Sequence, residues 1–250
     1  MRSPGRQQLD LSGTVAVVTG GTRGVGLAVT RKLVACGAEV VAGYRDDEIA
    51  AKRLETEYGE RVSVVAADLT TPAGLARLLA AASRRHRHID VFVHAAGTLH
   101  PMPAVGADPA GVEADVRLAL APLLGATAIT KLMPEGGRII LISSNGARVA
   151  APRYVSAGIA KAAAESLVRY LAVELAGRGI AVNAISTAKL DKGPDTPNPE
   201  IAQQLAARTP AGRLTTPDDV ANAVALLCTA EAGWIHGQVI TVDGGLSLRG

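Results

Sequence analysis

Apolar residues follow two alternating patterns along this chain of 250 residues. Short runs rich in Val, Ile and Ala predict strands over residues 15–19, 39–43, 62–66, 91–94, 138–142, 180–183 and 239–242. Longer Ala- and Leu-rich stretches with helical periodicity separate these runs. The alternation predicts an α/β fold, a doubly wound parallel sheet of about seven strands with helices on both faces.

The chain is expected to form a single domain, because its length fits one large α/β unit. Residues 1–13 are polar and contain Pro4 and Gly5, which indicates a flexible N-terminal tail before a domain over residues 14–250. The least regular segment, residues 186–199, is rich in Lys, Asp, Pro and Thr. With the helical stretch that follows, this segment predicts a mobile substrate lid over about residues 186–212.

Charge and cysteine usage exclude several function classes. The formal net charge is +3, but charges of both signs are interspersed, and the basic run at residues 84–87 is typical of a solvated helix end. We therefore expect no nucleic-acid partner. Cys36 and Cys228 lie alone in apolar stretches, which indicates buried free thiols and no metal site. No apolar run is long enough for a signal peptide or a membrane span, so we expect a cytoplasmic protein without a membrane partner.

A glycine-rich turn, Thr19-Gly20-Gly21-Thr22-Arg23-Gly24-Val25-Gly26, connects the first predicted strand to a helix. Glycines there let the backbone approach a pyrophosphate, whose charge then lies at the N–H groups of the helix N-terminus. The spacing resembles the Thr-Gly-xxx-Gly-x-Gly pattern of the short-chain dehydrogenase/reductase family, which implies a Rossmann fold and a nicotinamide dinucleotide. The turn residues expected at the cofactor are Gly20, Thr22, Arg23, Gly24, Val25 and Gly26.

The end of the second predicted strand indicates which dinucleotide binds. An NAD site places a carboxylate there for the ribose 2′-hydroxyl, whereas this chain has Tyr44 and Arg45. Arg45, together with Arg23 of the glycine turn, can bind a 2′-phosphate through charge-assisted hydrogen bonds. We therefore expect NADPH as the cofactor. The alternative is that Arg45 only pairs with Asp46 or Asp47 on the surface.

Further segments resemble the same family in the same order. The resemblance adds five expected cofactor contacts, which follow the third and fourth strands: Asp68, Leu69, Ala95, Ala96 and Gly97. The last three belong to a turn that reads His94-Ala95-Ala96-Gly97, where the family has Asn-Asn-Ala-Gly. His94 could act as a base, but a histidine that closes a strand is more often packed and hydrogen-bonded, and we favour that interpretation.

The catalytic pattern departs from the ordinary member of this family, which carries Tyr-xxx-Lys on one helix. Here Ala157 lies four residues before Lys161, and the tyrosine is Tyr154, seven residues before it. Two helical turns would keep both side chains on one face, about 10 Å apart along the axis. The longer spacing, with other matches over residues 142–245, resembles the NADPH-dependent third class of bacterial enoyl-acyl-carrier-protein reductase. The resemblance implies Tyr154, Lys161 and Ser144 as catalytic residues, with Lys161 also at the cofactor.

Two further features leave the reaction open. Leu118 aligns with the family's helper asparagine and cannot relay a proton, and Ser144 is compatible with either C=C or C=O reduction. The favoured hypothesis is reduction of an α,β-unsaturated thioester or enone. The alternatives are a ketoreductase with an atypical active site and, because the asparagine is absent, a non-catalytic dinucleotide-binding sensor or scaffold. Retention of Tyr154 and Lys161 argues against the last of these.

Partners follow from the same resemblance. The substrate is expected to be a small molecule or an acyl group bound to a carrier, with specificity determined by residues 98–109 and 188–204. Members of the family commonly associate through two long helices, here about residues 111–132 and 155–176. This implies a homodimer or a homotetramer.

Overall fold

The computed structural model describes residues 9–133 and 136–248. Within these ranges one parallel sheet has the strand order β3-β2-β1-β4-β5-β6-β7. The strands are β1 (Val15–Thr19), β2 (Glu39–Tyr44), β3 (Val62–Ala66), β4 (Val91–His94), β5 (Gly137–Ser144), β6 (Ile180–Thr187) and β7 (Val239–Thr241). All seven predicted strands are confirmed. The sequence pattern underestimated β5 and β6, because both continue past their apolar runs into serine and threonine residues that remain paired in the sheet.

Helices cover both faces of the sheet, as the alternation predicted. Within the described ranges they are α1 (Gly24–Ala35), α2 (Glu48–Tyr58), α3 (Pro72–His86), α4 (Pro109–Leu124), α5 (Ala126–Lys131), α6 (Val155–Leu175), α7 (Pro199–Arg208) and α8 (Pro217–Leu227). One apolar core lies between the sheet and α3, α4, α5 and α6, and a second lies between the sheet and α1, α2 and α8. In the described ranges, no helix combines the length and the hydropathy needed to cross a bilayer.

The helix predicted over residues 111–132 is in fact two helices, α4 and α5. Gly125 separates them and lies so close to Leu75 that a Cβ atom there would stand 2.3 Å from its Cδ2 atom. Pro122 lies inside the last turns of α4 and cannot donate the N–H that would continue the helical ladder. A proline and a close glycine therefore end a helix whose apolar periodicity continues unbroken.

The N-terminal tail is shorter than predicted. Leu11 is buried in the core, and its backbone N–H donates to the Cys36 carbonyl over 2.6 Å. The prediction for residues 9–13 was therefore wrong, because one leucine in a polar stretch is enough to attach the segment. Residues 1–8 of the predicted tail lie outside the described ranges.

The lid segment also begins later than the composition suggested. Ser186 and Thr187 are buried residues of β6, so they are part of the sheet and not of a loop. From residue 188 onward the chain leaves the sheet, makes a 3-10 turn at Gly193–Asp195 and enters α7. A bridge between Leu190 and Thr215 ties the start of this segment to the loop before α8. The lid itself, now starting at residue 188, stays a prediction.

Candidate active site

A cavity of about 1070 Å³ opens at the carboxyl ends of the central strands. Its volume is slightly above the ~300–1,000 Å³ range of small-molecule sites, and its place beside β1 and β4 is the crevice where strand order reverses. Its lining includes every residue that the sequence assigned to a site: Gly20, Thr22, Arg23, Gly24, Val25, Gly26, Tyr44, Arg45, Asp68, Leu69, Ala95, Ala96, Gly97, Ser144, Tyr154 and Lys161. The structure thus brings together residues from six separate segments.

The glycine turn after β1 has a backbone that only small residues allow. Gly20 and Gly24 have φ angles of +64° and +53°, in the left-handed region. A Cβ atom on Gly26 would lie 2.1 Å from the carbonyl oxygen of Gly20, so the first turn of α1 packs directly on the loop. The backbone conformation of the turn and its close contact with α1 therefore require glycine at these three positions.

The N-terminus of α1 is suited to an anion. Arg23 precedes the helix, no side chain caps it, and its first turn contains no acidic residue. The first N–H groups of a helix have no partner within the helix and carry a partial positive charge. Because this helix end borders the cavity, the residues present fit the pyrophosphate of a dinucleotide.

Arg45 forms the surface ion pair that the sequence left open as an alternative. Its Nε atom lies 2.6 Å from a carboxylate oxygen of Asp46, and both side chains are more than half exposed. Exposed pairs of this kind contribute only about 0–1 kcal/mol. Arg45 nevertheless lines the cavity with Arg23, so a bound phosphate can compete with Asp46 for the guanidinium.

His94 is packed and hydrogen-bonded, as the sequence analysis favoured. It is fully buried, and burial, aided by the charge of Lys161, lowers its pKa to about 3. Its Nε2 atom lies 3.1 Å from the Leu118 carbonyl oxygen, which can only accept, so Nε2 carries the proton. Nδ1 then accepts from the Thr19 hydroxyl at 2.8 Å. With both nitrogens engaged, this neutral imidazole has no role as a base.

The same histidine compensates for the proline in α4. In a regular helix the Leu118 carbonyl would accept from the N–H of residue 122, but Pro122 has none. His94 supplies that hydrogen bond instead. Leu118 itself lines the cavity where the family carries its asparagine, so an apolar side chain stands at that place.

Tyr154 lies immediately before α6 and not on it, with φ −114° and ψ 12°. The prediction that Tyr154 and Lys161 share one face of a helix was therefore wrong, although both side chains line the cavity. The Tyr154 ring lies against Gly146, where a Cβ atom would be 2.5 Å from two ring carbons. Ala157 is only 3% exposed and occupies the position of the ordinary family tyrosine.

Lys161 is held between the sheet and the cavity. Its Nζ atom donates to the Ile142 carbonyl over 2.8 Å and lies 3.6 Å from where a Cβ atom of Gly97 would be. Burial lowers the pKa of Lys161 to about 8, while the charges of Asp115 and Glu165 oppose that shift. The lysine is thus a cation that can lose its proton within the ordinary working range of an enzyme.

Ser144 ends β5 at the cavity wall. Its Oγ atom accepts a hydrogen bond from the Gly146 N–H at 3.2 Å, which shapes the loop against which Tyr154 packs. The neighbouring Ser143 also lines the cavity and donates to the buried Glu165 over 2.5 Å. Each of the two serines therefore has a structural partner within the protein.

Sequence reasoning missed three polar side chains at or near this site. Thr187 lines the cavity, and its buried hydroxyl has no hydrogen-bond partner within the described residues, which makes it available to a ligand. Thr98 also lines the cavity and donates to Asp115, a carboxylate buried on α4. The only available signal was an aspartate in a helical stretch that also carries Glu113 and Arg117, and that pattern alone does not indicate a site.

Comparison with known proteins agrees with this architecture. Residues 20–247 match a family model described as enoyl-(acyl carrier protein) reductase. The chain is 35% identical to 1-cyclohexenylcarbonyl-CoA reductase of Streptomyces collinus, over 99% of this chain and 92% of that protein. It is 32% identical to an NADPH-dependent aldehyde reductase-like protein of Arabidopsis thaliana, over 95% of each.

The fold of the chain is similar to that of a solved structure. It is a blue fluorescent protein from a metagenomic library in complex with NADPH, 30% identical, with a TM-score of 0.88 over 95% of this chain and 99% of that one. The similarity to these proteins thus extends over nearly the whole chain. The chain belongs to the short-chain dehydrogenase/reductase family of oxidoreductases.

Proposed function

We propose that this protein is an NADPH-dependent reductase of the C=C bond in an α,β-unsaturated thioester or enone. The observation that carries the proposal is the position of Tyr154, which lies seven residues before Lys161 and lines the same cavity, whereas Ala157 is buried at the ordinary position. The similarity to a reductase that acts on a cyclohexenylcarbonyl thioester supports the same class of substrate.

The chemistry explains why the tyrosine is displaced. In conjugate reduction a hydride adds to the β-carbon, the π electrons move to the carbonyl oxygen, and a proton adds to the α-carbon. The carbonyl oxygen is then two bonds further from the hydride acceptor than in a ketone reduction. Tyr154, at the edge of α6, donates a hydrogen bond to that oxygen as negative charge develops. NADPH, when bound, supplies the hydride.

Lys161 serves cofactor and substrate together. Its ammonium group lies beside Gly97 in the cavity wall, where the resemblance expects the nicotinamide ribose. A positive charge there also stabilises the enolate oxygen, since the low-dielectric surroundings strengthen the interaction. NADPH is preferred because Arg45, directly after β2, and Arg23, in the glycine turn after β1, both line the cavity.

A substrate panel tests the proposal. Crotonyl and acetoacetyl thioesters are incubated with NADPH under the same conditions, with 2-cyclohexenone as a carrier-free enone, and the products are identified by mass spectrometry. We expect turnover of the unsaturated substrates and a saturated product with its carbonyl group intact. Faster turnover of the acetoacetyl thioester would overturn the proposal, and no oxidation of NADPH with any of them would favour a non-catalytic protein.

A ketoreductase is the second candidate, and Ser144 is the observation that favours it. Its hydroxyl lines the cavity in the place where a carbonyl-reducing member keeps a serine. The aldehyde reductase-like relative from Arabidopsis thaliana is of that kind by name. Ser144→Ala separates the two, since it should lower carbonyl reduction strongly and C=C reduction little.

We propose that two or four copies of the chain associate through α4 and α6. These helices pack on each other, and their outer surfaces expose four large apolar side chains, Leu124, Ile159, Tyr170 and Val173. Exposed apolar residues on neighbouring helices are typical of an interface. Light scattering should give twice or four times the mass of the chain, and Val173→Glu should shift it toward the monomer.

A further inference from the structure

A buried carboxylate that the proposed reaction does not use lies beside the cavity. The side chain of Asp115, on α4, is 1% exposed. Burial raises its pKa, but hydrogen bonds that include those from Thr98 and His100 outweigh that effect and lower the pKa below the ordinary value of an aspartate. A buried charge is costly unless it is paired and hydrogen-bonded. Asp115 is therefore an anion whose place depends on those partners.

Three of the geometric contacts of Asp115 come from the loop after β4. The Thr98 hydroxyl donates to Oδ1 over 2.6 Å, and His100 Nδ1 lies 2.8 Å from the same oxygen. The His100 backbone N–H donates to Oδ2 over 3.1 Å. Both oxygens are thus engaged, and together they fix a segment that otherwise runs without regular structure along the cavity.

That loop in turn holds the start of α6. The His100 carbonyl accepts from the Ser156 hydroxyl at 2.9 Å, and Met102 pairs with Tyr154 in an isolated parallel bridge. The Met102 N–H donates to the Arg153 carbonyl over 3.2 Å within this bridge. Because Tyr154 precedes the helix, these contacts and the packing of its ring on the opposite loop determine where it stands.

We propose that Asp115 is a positioning residue for the reaction: it holds residues 98–102 against the start of α6 and thereby fixes the Tyr154 hydroxyl in the cavity. The role rests on the proposed function of Tyr154 as hydrogen-bond donor. Asp115 has no contact of its own with the reacting atoms.

The decisive experiment is a double-mutant cycle with Asp115→Asn and Tyr154→Phe. Asparagine has nearly the same shape, but its single carbonyl oxygen cannot accept from both sides of the loop. Asp115→Asn alone should lower the single-turnover rate of NADPH oxidation about tenfold and leave the Kd of NADPH unchanged. In the Tyr154→Phe background the same change should cost less than about twofold, because the hydroxyl that it positions is already absent.

Asp243→Asn is the matched control. Asp243 is also buried, and its carboxylate accepts from the Gly245 and Ser247 N–H groups, both at 2.9 Å, near the C-terminus. Asp243→Asn should change the single-turnover rate by the same factor in the unmodified protein and in Tyr154→Phe. If Asp115→Asn likewise lowered the rate by one factor in both backgrounds, the positioning role would be wrong. Because Tyr154 is the donor for either reaction, the cycle works equally with the carbonyl substrate if C=C reduction fails.

A second measurement does not depend on turnover. The chain has four tyrosines, so the NMR signal of Tyr154 in protein with ring-labelled tyrosine can be assigned from Tyr154→Phe. Asp115→Asn should shift the Tyr154 signal, whereas Asp243→Asn should leave it in place. An unchanged Tyr154 signal in Asp115→Asn would overturn the proposal even for a protein without a known substrate.

Discussion

His94 Nε2 donates a hydrogen bond to the Leu118 carbonyl oxygen, 3.1 Å away, in the place of the N–H that α4 lacks at Pro122. The contact joins the end of β4 to the helix that carries both Leu118 and Asp115. It also holds the turn after β4, because the Thr19 hydroxyl that donates to His94 accepts from the backbone N–H groups of that turn. One imidazole thus ties strand, turn and helix together next to the cavity.

His94→Ala should reduce the free energy of unfolding by about 2–4 kcal/mol, since it leaves a cavity and an unpaired buried carbonyl. Pro122→Ala, which restores an N–H donor for Leu118, should recover about 0.5–1.5 kcal/mol of that loss in the double variant. Urea unfolding followed by circular dichroism measures both. A double variant no more stable than His94→Ala would contradict this account of the carbonyl.

Tyr154→Phe keeps the ring that packs on Gly146 and removes only the hydroxyl. Turnover should fall by about 10²–10³, the typical cost of one donor to a developing oxyanion, while the Kd of NADPH stays unchanged. Tyr170→Phe is the control, because Tyr170 is an exposed residue of α6. Unimpaired turnover of Tyr154→Phe would leave the conjugate-reduction proposal without its donor.

Arg45→Ala should narrow the preference for NADPH over NADH. The difference in binding free energy between the two cofactors should shrink by about 1.5–3 kcal/mol, the contribution of a hydrogen bond to a charged group. Asp46→Asn should act in the opposite direction, because it frees the guanidinium from its present ion pair. Fluorescence titrations of the unmodified protein and the variants with both cofactors give the affinities, with Arg53→Ala on the exposed side of α2 as control. Equal affinities in the unmodified protein would exclude the 2′-phosphate site.

Activity should decline as the pH rises through about 8, the pKa to which burial lowers Lys161. Below that pH the ammonium is charged and stabilises the enolate; above it the charge is lost. The pH profile of kcat/KM for NADPH, which reports the free enzyme, should therefore bend downward near pH 8. Lys161→Arg keeps its charge throughout, so any activity that it retains should show no such bend. A flat profile for the unmodified protein would refute the assignment.

The segment after β6 should exchange its amide protons fast in the free protein. Residues 188–198 contain one short 3-10 turn and little buried apolar surface, which are the features of a region of low local stability. Binding of NADPH and substrate should slow the exchange there. Ser186 and Thr187 of β6 serve as the internal reference and should exchange slowly in both states. Equal protection on both sides of residue 188 would argue against a lid.

The fold could be predicted from the sequence because its signals are local and repeated. Seven aliphatic runs and a glycine turn were enough to predict the parallel sheet and a nucleotide site after its first strand, whereas the order of the strands came from the structure. Element ends were less predictable: Leu11, Ser186 and Thr187 owe their places to neighbours distant in sequence. The break between α4 and α5 depends on Leu75, which no local pattern around Gly125 reveals.

Site residues could be predicted where they belong to a sequence motif. They were harder to predict where the role of a residue depends on contacts that are distant in sequence. Arg23 was predicted from the glycine turn, and Tyr154 and Lys161 were predicted from a family resemblance; all three line one cavity. Asp115 was missed because its partners, Thr98 and His100, follow a different strand and lie 15 or more positions away. The sequence of a helix with several charged residues is the same whether one of them faces solvent or a buried loop.

The packing around Tyr154 also limits how this scaffold can be redesigned. Ala157 is buried, and beside the cavity the ring of Tyr154 lies in contact with Gly146. Adding a tyrosine at position 157 would therefore introduce a second ring without room, and deleting the first would leave Gly146 uncovered. Moving the tyrosine from position 154 to position 157 therefore requires coordinated changes that include Gly146, so library screening at one position should not achieve it.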